Sequence, residues 1–376
     1  MMEHIKDIDI TTFRGVRSLQ LRDLMPINIL TGDNNCGKTS VLEILESFED
    51  PGDFASWRTL LRREDGPVGM VGYSYYEAFY DLFDVNLEES EKKIEYTIRT
   101  AGDESFQIVL TALEDTEILT DDEYEKMRGF SVLKNNQDDT MSFWTVARLL
   151  MEVRQNGKLI GKDQVCDGQN RFYPTPLSSE RSGNKKKEKK IIYISPTRHA
   201  EGNVFLSSIL NHPELYEDML KILKEYDKDI ISINYDRNEN STLGRGIYKI
   251  LSRSHEKALP LNVYGDGMKK AVLLMSAVVK AKDGILLLDE FETAIHTSAM
   301  DKTFRWILET CIKLNVQVFL TSHSKEAIEK ILRCAPDLQN QMAVYTLYKD
   351  QRKTTARRLT GEKAIMVQDD MGLELR

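Results

Sequence analysis

The chain has 376 residues, 41% of them hydrophobic and 30% charged, enough for one large α/β domain with an inserted part, or for two domains. A net charge of −9 argues against a protein that coats nucleic acid with its whole surface. The longest apolar runs, such as Ile285–Leu288, fall far short of the roughly 20 residues that cross a bilayer, so no membrane association is expected. Cys36, Cys166, Cys311 and Cys334 are scattered without CxxC or zinc spacing, and the start, MMEHIKDIDI, is too polar for a secretion signal; a reducing cytoplasmic location is expected.

Taken in chain order, residues 4–12, 17–21 and 27–31 alternate as three short strands, with Gly15 and Pro26 between them. From Gly37, the spacing of Val41, Leu42, Leu45 and Phe48 predicts a helix. Further on, 94–99 and 106–112 read as a hairpin turning at Gly102-Asp103-Glu104, the acidic stretch 114–125 as a solvated face, and 143–153 as a helix. Residues 171–184, rich in Pro, Ser and Gly, read as a loop that runs into the basic stretch 185–190. No a/d heptad is sustained, so no long coiled-coil arm is expected. The second half predicts strands at 191–195, 247–251, 261–264, 285–289, 316–321, 342–348 and 354–359, and helices over 204–226, 268–280, 297–314 and 325–332. This β/α alternation predicts an α/β fold with a mainly parallel sheet covered by helices on both faces.

Four short motifs carry chemistry. Gly32-Asp33-Asn34-Asn35-Cys36-Gly37-Lys38-Thr39, followed by Ser40, fits G-x-x-x-x-G-K-[ST] between a strand and a helix. Its inward-turned backbone N–H groups surround phosphates, Lys38 reaches the β and γ phosphates, and the Thr39 hydroxyl coordinates Mg²⁺. In 284–290 a four-residue apolar strand delivers Asp289 to the Mg²⁺ shell and Glu290 to the attacking water. Behind the strand 318–321, His323 stands where it can contact a γ-phosphate; a structural His is the plainer alternative. Tyr264-Gly265-Asp266-Gly267-Met268-Lys269 opens a helix and forms a second anion site, suited to a γ-phosphate held by another subunit; a simple helix start with Asp266 as N-cap is the alternative. Cys36, beside Lys38 at a helix start, is expected to have a lowered thiol pKa, or else merely to fit the loop. Arg198 either reaches a phosphate or forms a surface ion pair, and the basic stretch either contacts nucleic acid or is a solvated loop.

In this order and spacing the motifs resemble the ABC-type P-loop ATPase heads of SMC, RecF-type and OLD-type proteins. They are most similar to the OLD-like AAA-family ATPases of bacteria, through Phe13-Arg14-Gly15, the 264–267 signature, Asp289-Glu290-Phe291-Glu292 with His296 beyond, and Thr321-Ser322-His323-Ser324. The resemblance lies in residues 1–50 and 190–335. It implies ATP and Mg²⁺ as cofactors, ATP hydrolysis, head-to-head dimers (possibly assembled further) with composite sites, and control of a separate effector protein in anti-phage defence. The division it suggests is 1–86 and 191–376 as the two parts of the head, with 87–190 an inserted α/β segment. A DNA-repair ATPase acting on DNA ends and a nucleotide-locked scaffold with little turnover are the alternatives. The signature departs from transporter-type proteins in lacking a serine, for which Lys269 or Lys270 could substitute. The paired-Asp strand of RecF-type proteins is absent, no glutamine loop can be placed, and the residues after 335 have no room for the Toprim domain of OLD nucleases.

Overall fold

The computed structural model describes residues 2–61, 73–84, 91–128, 142–174, 190–196, 205–236, 247–293, 297–350 and 353–371. The chain opens with β1 (Ile5–Phe13) and β2 (Val16–Leu21), an antiparallel hairpin, and then β3 (Ile27–Gly32), whose six residues are all buried. Helix α1 (Lys38–Ser47) continues from the phosphate-loop sequence, and α2 (Phe54–Arg58) and α3 (Tyr75–Tyr80) come after it. Next come β4 (Glu91–Thr100), β5 (Ser105–Thr120), α4 (Asp121–Arg128), β6 (Phe143–Gln155) and β7 (Lys158–Cys166). These strands extend the opening hairpin into one antiparallel sheet, ordered β2-β1-β4-β5-β6-β7.

The 87–190 segment combines strands with a helix, α4, among the described residues; its strands run antiparallel and share their sheet with β1 and β2. One expectation for this region is corrected. Residues 143–153 are strand, not helix. Val146, Leu149 and Val153 match helical spacing, but β6 pairs with β5 from Phe143–Thr120 to Gln155–Ile108, and alternate residues Leu149, Met151 and Val153 are the ones fully buried. Pairing along that whole length outweighs the local pattern.

The second half builds the parallel sheet. Strand β8 (Ile191–Ile194) precedes α5 (Leu206–Leu210) and α6 (Pro213–Leu223), which are separate helices because Pro213 starts a new one at its first turn. Then β9 (Ile230–Asp236), β10 (Ile247–Ser252) and β11 (Leu259–Pro260) form a small antiparallel sheet. The strand expected at 261–264 is instead a 3-10 turn, Leu261–Val263. Helix α7 (Asp266–Lys280), β12 (Ile285–Leu288), α8 (Thr297–Lys313), β13 (Gln317–Thr321), α9 (Lys325–Cys334), β14 (Met342–Asp350), β15 (Lys353–Thr360) and α10 (Gly361–Met371) complete the fold. The sheet order is β15-β14-β3-β13-β12-β8, parallel except for the β14–β15 hairpin.

One apolar core fills the space between the antiparallel sheet, α1 and one face of the parallel sheet, with Ile10, Leu45, Leu110, Leu287 and Phe319 fully buried or nearly so. A second lies on the opposite face under α5 to α9, around Leu274, Val278, Leu286, Leu288 and Ile331. Each such side chain stabilises the fold by about 1.5–3 kcal/mol. The buried Gln317 amide ties the two sheets: it accepts from Ile5 N–H at 2.7 Å and donates to the Ile5 and Met25 carbonyls at 2.8 and 3.1 Å. Among the described residues no helix is long and apolar enough to cross a membrane.

Candidate functional site

The carboxyl end of β3 turns sharply into the phosphate loop. Gly32 has φ 134° and Gly37 φ 103°; a Cβ on Gly32 would stand 2.4 Å from the Leu347 carbonyl oxygen, and one on Gly37 2.5 Å from Val16 Cγ2. Strand β14 and the β1–β2 turn thus close directly on the loop, and only glycine fits at both places. Asn34 and Asn35 are exposed, Ser40 is buried, and Lys38 begins α1 with its Nζ donating to the carbonyls of Gly32 and Asp33 at 2.8 and 2.9 Å. Cys36 corrects an expectation. It is 3% exposed, and burial pushes its thiol pKa up, outweighing the opposing effect of the nearby Lys38.

Because β13 lies between β3 and β12, the P-loop and the end of β12 come together over one intervening strand. Thr39 Oγ1 donates to the Asp289 carboxylate, 3.1 and 3.2 Å from its two oxygens. Asp289 is 3% exposed, and two further hydroxyls hold it: Tyr193 from β8 at 3.2 Å, and Thr321 from the end of β13. Burial, then the Asp289 charge, push the Tyr193 phenol pKa strongly up, so it remains a donor. Thr321 also accepts the backbone N–H of Glu290 at 2.8 Å. That bond supports Glu290 at φ 47°, a left-handed conformation that costs a non-glycine residue about 1–2 kcal/mol. Sequence reading missed Tyr193; its one signal is a lone phenol in the apolar strand Ile-Ile-Tyr-Ile.

His323 comes after β13 with its side chain half exposed. Both Ser322 and His323 contact Glu292, three residues after Asp289. Arg14, in the β1–β2 turn, directs its guanidinium to the Leu60 carbonyl at 2.7 Å and to Glu43 of α1 at 3.2 Å.

Gly265 is the N-cap of α7 and makes no side-chain cap; Asp266 occupies the first turn, so the N-cap reading of Asp266 is corrected. Lys269 pairs with Asp266 at 2.6 Å, which holds that carboxyl below its ordinary range. Helix α7 runs back to the start of β12, so its N-terminus stands at the carboxyl edge of the sheet; there Lys270 Nζ donates to the Thr293 carbonyl at 2.5 Å. The helix packs into the core on the face opposite α1. Gly265, Asp266, Gly267 and Lys269 therefore share an edge with the P-loop but lie on the other face. Arg198, residues 185–189 and His296 lie outside the described residues.

An AAA ATPase domain family matches residues 2–243, most of the chain, including the P-loop. The chain belongs to this family, and it is an ATPase. A second AAA domain family, described with the AbiEii toxin and the type IV TA system, matches residues 170–329. An ATP/GTP phosphatase of Helicobacter pylori is 23% identical over 377 residues, covering 95% of this AAA-family chain and 96% of its own. An uncharacterized protein of Methanocaldococcus jannaschii is 36% identical over 92 residues, 24% of this chain and 41% of its own. In three dimensions the chain resembles an Smc head crystallised with the C-winged helix domain of ScpA, at a TM-score of 0.51 and 9% identity, covering 96% of this chain and 99% of that one. The fold is that of ABC-type P-loop ATPase heads.

Proposed function

We propose that this ATPase closes ATP between two copies of itself and uses hydrolysis to control a separately encoded effector, as the regulatory subunit of a bacterial anti-phage system of OLD-like type. The observation that carries the chemistry is the approach of Thr39 to Asp289 across β13. A hydroxyl and a carboxylate so placed suit Mg²⁺, which takes hard oxygen donors and is completed by phosphates and water. Bound there, the ion would neutralise charge on the β and γ phosphates. Lys38 binds the same phosphates, and the loop N–H groups from Gly32, Asn34, Asn35, Cys36, Gly37 and Ser40 cradle them. Tyr193 and Thr321 fix the Asp289 carboxylate, Glu290 takes the proton of the attacking water, and His323 contacts the γ-phosphate.

The opposite-face position of Gly265, Asp266 and Gly267 supports a composite site, because their exposed N–H groups suit the γ-phosphate of a second copy. A variant mixture tests it. Gly267→Arg binds ATP without turning it over, Lys38→Ala fails to bind, and mixed dimers regain activity through one intact composite site. Mixed dimers without any recovery would rule composite sites out.

For the effector, support comes from the antiparallel sheet. Among the described residues, strand β4 ends its pairing at Leu113 and β7 at Arg148, so residues 114–120 and 143–147 pair only with each other as a two-stranded ribbon, on which α4 packs through the stacking of Tyr124 on Trp144. Ile118 and Phe143 share the face that buries Leu110 and Met151 nearer the body, yet they are 68% and 64% exposed. The described families' link to a toxin system supports the same direction. Replacing both residues with Asp leaves basal ATP turnover intact and abolishes phage protection and effector co-purification from the native host. Protection that survives this change, with no protein bound, would overturn the effector role.

A further inference from the structure

The loops after β12 and β13 are tied together at two levels. Nearer the strands, Thr321 bridges Asp289 and Glu290. Further out, three groups converge on one oxygen of Glu292. Ser322 Oγ donates to Oε1 at 2.8 Å, the His323 backbone N–H donates to it at 3.2 Å, and His323 Nδ1 lies 3.4 Å from it. The Glu292 side chain is 13% exposed, and its Oε2 is buried with no hydrogen-bond partner among the described residues. Leaving a buried acceptor unpaired costs about 1–3 kcal/mol. None of the roles assigned above to Lys38, Thr39, Asp289 or Glu290 requires this carboxylate. Of its three neighbours, Ser322 Oγ and the His323 N–H need only an acceptor, whereas the imidazole is the one whose hydrogen a neighbouring carboxylate can place on one nitrogen or the other.

We infer that Glu292 is a positioning residue that holds a proton on His323 Nδ1 and so commits Nε2 to the γ-phosphate. The inference rests on the γ-phosphate role proposed for His323. An ionised carboxylate only accepts hydrogen bonds, so the tautomer with its hydrogen on Nδ1 is the one that suits this neighbour. The backbone bond from His323 N–H to the same oxygen fixes the residue from which the ring swings. Ser322 fixes the carboxylate in turn. The same logic governs any imidazole whose far nitrogen is oriented by a carboxylate.

The test compares full-length wild type, Glu292→Gln and Glu292→Ala by long-range ¹H–¹⁵N correlation of the histidine rings, with the His323 signals assigned by their loss in His323→Ala. ATP affinity and kcat are measured on the same proteins with Mg²⁺. Ser322 and His323 N–H both aim at one oxygen, so the glutamine keeps its carbonyl oxygen there and the Nδ1 proton is retained. In Glu292→Ala the proton moves to Nε2. ATP affinity stays within about threefold in both variants, while kcat falls at least about 10-fold in Glu292→Ala and less in Glu292→Gln. An unchanged ring tautomer or a wild-type kcat in Glu292→Ala overturns the inference. Should that variant not fold, Glu292→Leu, which removes every acceptor, takes its place: an unchanged ring tautomer or a wild-type kcat there overturns the inference. His323→Ala separates the two readings. Wild-type kcat there removes the γ-phosphate role itself, whereas the tautomer measurement judges Glu292 either way.

Discussion

The glycine-bearing starts of α1 and α7 differ in what demands the glycine. In the phosphate loop, Gly32 and Gly37 have left-handed φ angles, and a Cβ on either would run into Leu347 or Val16. The chain's own packing requires them. At the start of α7, Gly265 has φ −60° and open space where a Cβ would go, and Gly267 would only brush the Tyr226 ring at 3.4 Å. Any residue could occupy Gly265 in the isolated chain. The chain's own packing makes no demand for glycine there, and a bare backbone at that place suits the close approach of the γ-phosphate proposed to come from a second copy.

The largest expected effect bears on the first helix start alone. Glu290→Gln binds ATP and turns it over at least ~100-fold more slowly, the scale of losing a general base. Turnover equal to wild type would remove Glu290 from the role. A more pointed test is Gly32→Ala, which is expected to cost about 1–3 kcal/mol by denaturant titration and to abolish ATP binding, because the left-handed turn is strained for alanine. Gly265→Ala is the counterpart. Its stability stays within about 0.5 kcal/mol and its ATP affinity is unchanged, while turnover drops by roughly 10-fold from loss of close approach by phosphate. If Gly265→Ala instead unfolds the protein, or turns over normally, the contrast between the two starts fails.

The smallest effect concerns Cys36. Its thiol pKa is raised by burial, so the protonated form persists to higher pH than in a free thiol, whose pKa is about 8.5. Alkylation at pH 8 is therefore slower at Cys36 than at a free cysteine, and accelerates only as the pH is taken further up. Cys36→Ser keeps wild-type turnover. Rapid labelling at neutral pH, blocked by ATP, would restore the reactive-thiol reading.

How much could be read from the sequence depends on how each sheet is buried. Strands β3, β8, β12 and β13 are covered on both faces and appear as mainly apolar runs, of which β3, β12 and β13 lead into the motif residues. The Thr39 and Asp289 pairing needed only the motif pattern and the β/α alternation. The antiparallel sheet was less legible. In β6, Phe143, Trp144, Val146, Leu149, Leu150 and Val153 satisfy a helical period as well as a strand, and only pairing with β5 chooses between them. Tyr193 and Glu292 were illegible as partners, because their meaning depends on which residues of β12 and β13 end up beside them. Helix α10 was missed because the stretch after β15 is short and mixes apolar and charged residues evenly, with Ala364 as its fully buried anchor.

Strand β3 carries the phosphate loop at the beginning of the chain, yet its two neighbours, β13 and β14, begin only at Gln317 and Met342. During synthesis β3 waits with both edges bare until nearly the whole protein has left the ribosome. Pairings over such separations are slow to form and exposed to aggregation while they are incomplete. The same delay has a useful side. No truncated product ending before β13 has Thr321 to clamp Asp289, or the Gln317 amide that joins the two sheets, so this arrangement comes into being only once β13 has been made.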